Sequence, residues 1–273
     1  MQLAGGDSSV VAGRRTDDGL MVPGFVGEGR DTIWFLFDTG AGRTVLERSV
    51  AAQLGLHATS HGTIRGVGTG TTPVDIVPDV TVRLGGATVE HVNLRLASMG
   101  AETGPGPHMG GIIGYDLLCR SVVTADFARQ QLTIMAPSTY APGNDEDVLP
   151  LQVRDGWSYV RATIKVPGQP AVDDDFLIDT GSLDFANHPI IRESTGPLRH
   201  TRTGAGGFGQ SQEGVIGQTE WFRLGRTTIP HTQSVCCAAT PEVSRQIGLG
   251  ILEHFRMTVD YPHDRLVLAP RAE

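Results

Sequence analysis

The chain has 273 residues and a net charge of −8 at neutral pH, long enough for two domains of ordinary size, each with its own core. Phosphate binding needs clustered positive charge, and none occurs, which excludes nucleic acid as a partner; no run of about 18 apolar residues occurs, so no membrane span is expected. Aromatics are scarce, whereas 36 glycines and 16 prolines punctuate short runs rich in Val, Ile, Leu and Thr, the pattern of an all-β chain with many turns.

The N-terminus, Met1 through Asp7, has neither a basic region nor an apolar stretch. No signal peptide is therefore expected in this chain, which leaves the cytoplasm and the processed form of an exported protein both open. The first strong signal is Phe35-Leu36-Phe37-Asp38-Thr39-Gly40, a buried strand breaking into a turn at a carboxylate. Helical marks follow over 47–54, closing at Gly55. A glycine-rich turn, Gly66-Val67-Gly68-Thr69-Gly70, leads to strands that meet at Leu84-Gly85-Gly86. The loop 98–111 is long for a compact domain and is expected either to border a cleft or to lie on the surface. Ile112-Ile113-Gly114-Tyr115 and a strand pair running from Asp126-Phe127 to Leu132-Thr133-Ile134 close this half. The segment 139–147 is polar, Pro-bearing and without period, as a linker should be.

The second half repeats the order. A strand over 159–166 leads to Phe176-Leu177-Ile178-Asp179-Thr180-Gly181, then a helical segment over 189–195 closing at Gly196, then the glycine-rich turn 204–209. Strands meet at Leu224-Gly225-Arg226, an apolar-Gly segment falls at Leu249-Gly250-Ile251-Leu252, and a strand pair runs from Asp260-Tyr261 to Leu266-Val267-Leu268. The expected organisation is a lobe over 1–138, a linker over 139–147 and a second lobe over 148–273.

Paired Asp-Thr-Gly segments, each with a downstream glycine flap and an apolar-Gly crossing, resemble the aspartic peptidases, in a two-lobed arrangement like pepsin with compact lobes like retropepsins. The resemblance covers nearly the whole chain. It implies an all-β fold of two homologous acid-protease lobes with a cleft between them. It also implies an aspartic endopeptidase that takes a peptide or protein substrate in extended conformation, with Asp38 and Asp179 as the catalytic pair. Because one chain supplies both aspartates, a monomer suffices; no cofactor and no metal are expected.

The chemistry has a physical reason. Amide hydrolysis needs one proton removed from water and another supplied to the substrate. Two carboxyls sharing a proton can do both, since like charges about 3 Å apart cannot both ionise, as is general for aspartic peptidases. Thr39, Gly40, Thr180, Gly181 and Ser182 are expected to support the dyad: the glycines by allowing a tight turn that brings an N–H to the carboxylate, the threonines by hydrogen-bonding across it. Ala41 follows the first turn and Ser182 the second. A Ser182 hydroxyl beside Asp179 would make Asp179 the charged partner. Gly68 and Phe208 are the candidate flap residues at the substrate.

Other signals point elsewhere. The segment 204–209 matches G-x-G-x-x-G literally but opens no helix in a βαβ unit, so it reads as a flap and not as a nucleotide loop. His57 and His61 are bracketed by glycines and read as exposed loop residues. Asp173-Asp174-Asp175 reads as a solvated turn. Three cysteines are too few for a disulfide scaffold, and the neighbours Cys236 and Cys237 would bridge each other only with strain, so reduced thiols are expected, with a bridge from Cys119 to either left open. Two further readings share the residues: a peptide-maturing or cyclising enzyme using the same dyad on one dedicated peptide, and a non-catalytic peptide-binding module.

Overall fold

The computed structural model describes residues 1–4, 6–99, 108–204, 208–236 and 244–270. Strands dominate, and the helices are short: Arg48–Gln53, Tyr115–Leu118 and Leu249–Leu252, with single 3-10 turns at Pro137–Thr139, Pro189–Glu193 and Tyr261–His263. The fold is thus all-β, as the composition predicts. Among the described residues no helix is long and apolar enough to cross a membrane.

Short apolar runs become strands buried on both faces because they sit inside sheets. Ile33–Phe37 is flanked by Gly19–Val26, antiparallel, and by Met109–Ile113, parallel, with Ile113 opposite Phe37. Val172–Ile178 is flanked in the same way by Trp157–Lys165, antiparallel, and Gln246–Ile247, parallel, with Ile247 opposite Ile178. Phe35, Phe37, Phe176 and Phe222 are fully enclosed in the main apolar core. Burial at this level makes each of these strands a fixed support for the turn that follows it.

The second crossing differs from the sequence expectation. The glycine equivalent to Gly114 is Gly248, not Gly250: each follows its parallel strand and opens a short helix, Tyr115–Leu118 or Leu249–Leu252. The Leu249-Gly250-Ile251-Leu252 segment is that helix itself. Both glycines are required by close packing. A Cβ at Gly114 would lie 2.7 Å from the Ala41 carbonyl oxygen, and one at Gly248 would lie 2.8 Å from that of Ser182. The next residue of each helix ties down the same oxygen: the Tyr115 N–H donates to Ala41 (2.8 Å) and the Leu249 N–H to Ser182 (2.7 Å).

A nine-stranded sheet is built wholly from residues of the first half, but another sheet takes strands from both. The halves meet in it at the antiparallel pair Val122–Asp126 and Phe255–Asp260, in which Thr124 stands opposite Thr258 with their hydroxyls 2.7 Å apart. Ser8–Ala12 and Gln131–Met135 extend it on one side, and Arg265–Pro270 and Asp147–Arg154 on the other. The segment read as a linker is held against this sheet: Glu146 accepts the Gly143 N–H at 2.7 Å and pairs with Arg256 at 2.9 Å.

Several local expectations meet a correction. The 189–195 segment is a 3-10 turn, Pro189–Glu193, whereas the first-half helix, Arg48–Gln53, closes at Gly55 in the left-handed region as predicted. Asp173, Asp174 and Asp175 lie within the strand Val172–Ile178, where Arg161, Arg245 and Arg154 neutralise them. His61 sits on the strand Ser60–Ile64, with Nδ1 at 2.6 Å from Asp75. Cys119 is a free thiol, but Cys236 is disulfide-bonded, against the expectation of three reduced thiols; Cys237 lies outside the described residues. So do residues 100–107 of the long loop.

The packing around Gly248 yields a test. Gly248→Ala should lower stability by roughly 1–3 kcal/mol, because the added methyl meets main-chain oxygens that are themselves hydrogen-bonded. Urea denaturation with an unchanged midpoint would contradict this.

Candidate active site

Asp38 and Asp179 each leave a buried strand through a backbone hydrogen bond to the crossing strand. The Asp38 N–H donates to the Ile113 carbonyl (3.3 Å) and the Asp179 N–H to that of Ile247 (2.9 Å). The turns then fold back on their own carboxylates. Oδ1 of Asp38 accepts the N–H groups of Gly40 (2.8 Å) and Ala41 (3.0 Å), and Oδ1 of Asp179 accepts that of Gly181 (3.0 Å).

The two turns are brought face to face. A Cβ at Gly40 would meet the Asp179 carboxyl oxygens at 2.6 and 2.7 Å, and a Cβ at Gly181 would meet those of Asp38 at 2.6 and 2.8 Å. Neither glycine has a positive φ. The turns and their N–H bonds to the carboxylates are as expected, but glycine is required for a further reason: the opposite carboxylate occupies the space a side chain would take.

Thr39 and Thr180 lie beneath and are fully buried. The Thr39 hydroxyl donates to the Ile178 carbonyl (2.9 Å) and accepts the Thr180 N–H (3.1 Å), while the Thr180 hydroxyl donates to the Phe37 carbonyl (2.7 Å) and accepts the Thr39 N–H (3.1 Å). Four hydrogen bonds thus join the strand ends of the two halves, and every donor and acceptor among these groups is used.

The surroundings of the two carboxyls differ. Asp179 is buried, with 7 % of its surface exposed, whereas Asp38 is half-buried. Burial pushes both above the ordinary carboxylate range. For Asp38 this is countered by a hydrogen bond with Asp179 and by the N–H groups of Gly40, Ala41 and Gly181. For Asp179 burial is reinforced by the negative charges of Asp38 and Asp184, so it is raised well above that range. The surroundings of Asp179 thus raise its proton affinity more than those of Asp38 raise its own, and the two titrate as a pair. This direction runs against the expectation drawn from Ser182. The Ser182 hydroxyl oxygen accepts the Asp184 N–H at 3.3 Å, so it serves its own loop.

One contributor was missed in the sequence. The Gln246 side chain donates Nε2–H to Oδ2 of Asp179 at 2.7 Å. It escaped notice because the second crossing was aligned on Gly250; aligning Gly248 with Gly114 sets Gln246 opposite Ile112, a polar residue in a buried apolar place.

The candidate flap residues lie at hairpin tips. Ser60–Ile64 pairs with Thr72–Leu84, and Arg199–Thr203 with Gln212–Gln218. The tips are joined to each other: the Gly68 N–H donates to the Phe208 carbonyl (3.2 Å), and Thr69 and Gln210 exchange both backbone bonds at 2.8 and 2.9 Å. Each tip also packs an apolar side chain on the opposite half. Val67 sits with Tyr159, Leu177 and Trp157, and Phe208 with Val45, Val74, Ala97 and Ile112. Residues 205–207 of the second tip lie outside the described residues. Among the described residues no cluster of His, Cys, Asp and Glu could hold a metal ion.

The threonine interlock predicts a stability effect. Thr180→Val leaves the buried Phe37 carbonyl and Thr39 N–H without partners, and should cost on the order of 3 kcal/mol. A thermal or chemical midpoint close to wild type would contradict it.

No curated protein matches the chain. Residues 22–117, the stretch that carries Asp38, both strands of the first hairpin and the Gly114 crossing, match the family model described as aspartyl protease. With the all-β fold, that match supports an aspartic peptidase family for this chain.

Proposed function

We propose that the chain is a monomeric, two-lobed aspartic endopeptidase. Lobes over 1–138 and 148–273 are joined by 139–147, and a cleft between them takes an extended peptide. The observation that carries this reading is the reciprocal seating of the carboxyls, each against the glycine of the opposite turn, one half-buried and the other buried; in this reading Asp38 is the anion and Asp179 holds the proton. Two carboxyls so placed have the proton inventory that amide hydrolysis needs.

In the proposed reaction, Asp38 removes a proton from a water as its oxygen bonds to the scissile carbonyl carbon, and Asp179 gives its proton to the carbonyl oxygen. The product is a tetrahedral diol, with Asp38 now protonated and Asp179 ionised. Asp38 then passes its proton to the amide nitrogen while Asp179 takes one from a diol hydroxyl. The C–N bond breaks, leaving an acid and an amine, and the pair is restored. The dyad N–H groups of Gly40, Ala41 and Gly181 hold the carboxylates in place throughout, which limits reorganisation. Substrate entry requires the hairpin tips to part, withdrawing Val67 and Phe208 from the apolar residues they cover. Those same residues then become available to substrate side chains, which favours apolar groups beside the scissile bond.

A peptide-library digest tests the reading. Asp38→Asn and Asp179→Asn should each lower cleavage at least about 100-fold, the lower range for losing a general acid or base. Cleavage that survives either substitution overturns the mechanism. The pH profile follows from the directions of the two shifts. Both carboxyls lie above their ordinary value, so activity should fall on the acid side as Asp38 gains a proton and on the alkaline side as Asp179 loses one. The acid limb should lie above the ordinary aspartate range. A rate that keeps rising toward lower pH contradicts this assignment.

A further inference from the structure

The two halves differ most sharply at one position beside the dyad. Ile112 and Gln246 occupy equivalent places, each two residues before the glycine that ends its crossing strand. Ile112 packs into the apolar cluster of Val45, Val74 and Ala97. Gln246 is only 4 % exposed, stands opposite Leu177 in the parallel pairing, and donates to Oδ2 of Asp179. A buried amide is costly unless it is hydrogen-bonded, so a glutamine at a place that takes isoleucine in the other half needs a compensating role.

We propose that Gln246 is a positioning residue for Asp179: its amide N–H fixes the orientation of the Asp179 carboxyl and stabilises the carboxylate that remains once the proton has passed to substrate. This rests on the dyad reading given above. With Oδ1 held by the Gly181 N–H and Oδ2 by Gln246, both oxygens of Asp179 are anchored from its own half. Asp38 is held differently: the Gly40 and Ala41 N–H groups reach its Oδ1, and the side chain that hydrogen-bonds it is Asp179 itself.

The charged groups facing Asp179 are Asp38 from the opposite turn and Asp184 from its own loop, and both disfavour its ionised form. Asp184 is itself held by the Asn187 amide at 2.6 Å. Arg245, next to Gln246, turns to Asp174 at 2.7 Å and does not balance them. The Gln246 N–H works in the opposite direction, lowering the proton affinity of an acid that would otherwise hold its proton too tightly to release it. Without that N–H the Asp179 proton should be held to higher pH.

The test is a 13C-carboxyl NMR titration of aspartate-labelled protein, with the Asp179 signal assigned through Asp179→Asn, in wild type and in Gln246→Met. This readout does not depend on turnover. Loss of one amide hydrogen bond that is stronger to the ionised than to the protonated carboxyl predicts that the Asp179 titration moves up by about half a unit to one unit, and that the alkaline limb of the cleavage profile moves with it while KM changes little. Gln246→Ile, which copies Ile112, should shift the same way and provides the measurement if the methionine variant does not fold. An unchanged titration in a folded variant overturns the positioning role and leaves the dyad reading standing. Cleavage surviving Asp179→Asn removes the reaction that Gln246 is said to serve, whatever the titration shows.

Discussion

Each Asp-Thr-Gly turn is completed by the other one. The carboxyl of Asp179 fills the space that a side chain at Gly40 would take, the carboxyl of Asp38 does the same at Gly181, and the two threonines exchange hydrogen bonds beneath them. This mutual dependence fixes the distance between two groups that repel each other when both are charged. Holding them there costs free energy, and the strands, crossings and shared sheet provide the rigidity that sustains it.

The same constraint explains the rest of the architecture. The crossing strands Met109–Ile113 and Gln246–Ile247 supply the carbonyls that receive the two aspartate N–H groups, and the helices they lead into fasten the loops after each turn. The sheet that contains the Thr124–Thr258 pair joins strands of both halves and continues to Val172–Ile178, the strand that leads into the Asp179 turn. Above them, the hairpin tips contain glycine because backbone approaches backbone closely: a Cβ at Gly66 would lie 2.6 Å from main-chain atoms of Phe208, and one at Gly68 would lie 2.7 Å from Gly209. Near symmetry governs the scaffold, and departures from it govern the chemistry. Gln246 against Ile112, and the buried Asp179 against the half-buried Asp38, give two similar carboxyls different surroundings, and in the proposed reaction different tasks.

Much of this was legible in the sequence, and the exceptions have physical causes. The paired turns, the apolar strands before them and the glycine-rich hairpins were visible because local pattern determines them. The close approach of the opposite carboxyl to Gly40 and Gly181 was not, because the space they vacate is filled from the other half of the chain, and no local window contains both partners. The acid and base assignments could not be read from Ser182, since a hydroxyl near a carboxylate in sequence can instead satisfy a loop N–H, here that of Asp184. Gln246 was hidden by a two-residue slip in aligning the second crossing. The triple aspartate read as a turn because its cationic partners, Arg154, Arg161 and Arg245, come from segments distant in sequence.

The central claim is that Asp38 and Asp179 act on substrate as one proton-sharing unit beneath the joined hairpin tips. A crystal structure with a peptide analogue bearing a transition-state-like hydroxyl at the scissile position tests it most directly. The account predicts that hydroxyl within hydrogen-bond distance of both carboxyls, with the Thr69–Gln210 pairing opened or re-formed over the peptide and Val67 and Phe208 displaced. An analogue bound with its hydroxyl touching neither aspartate, or only one, would contradict it.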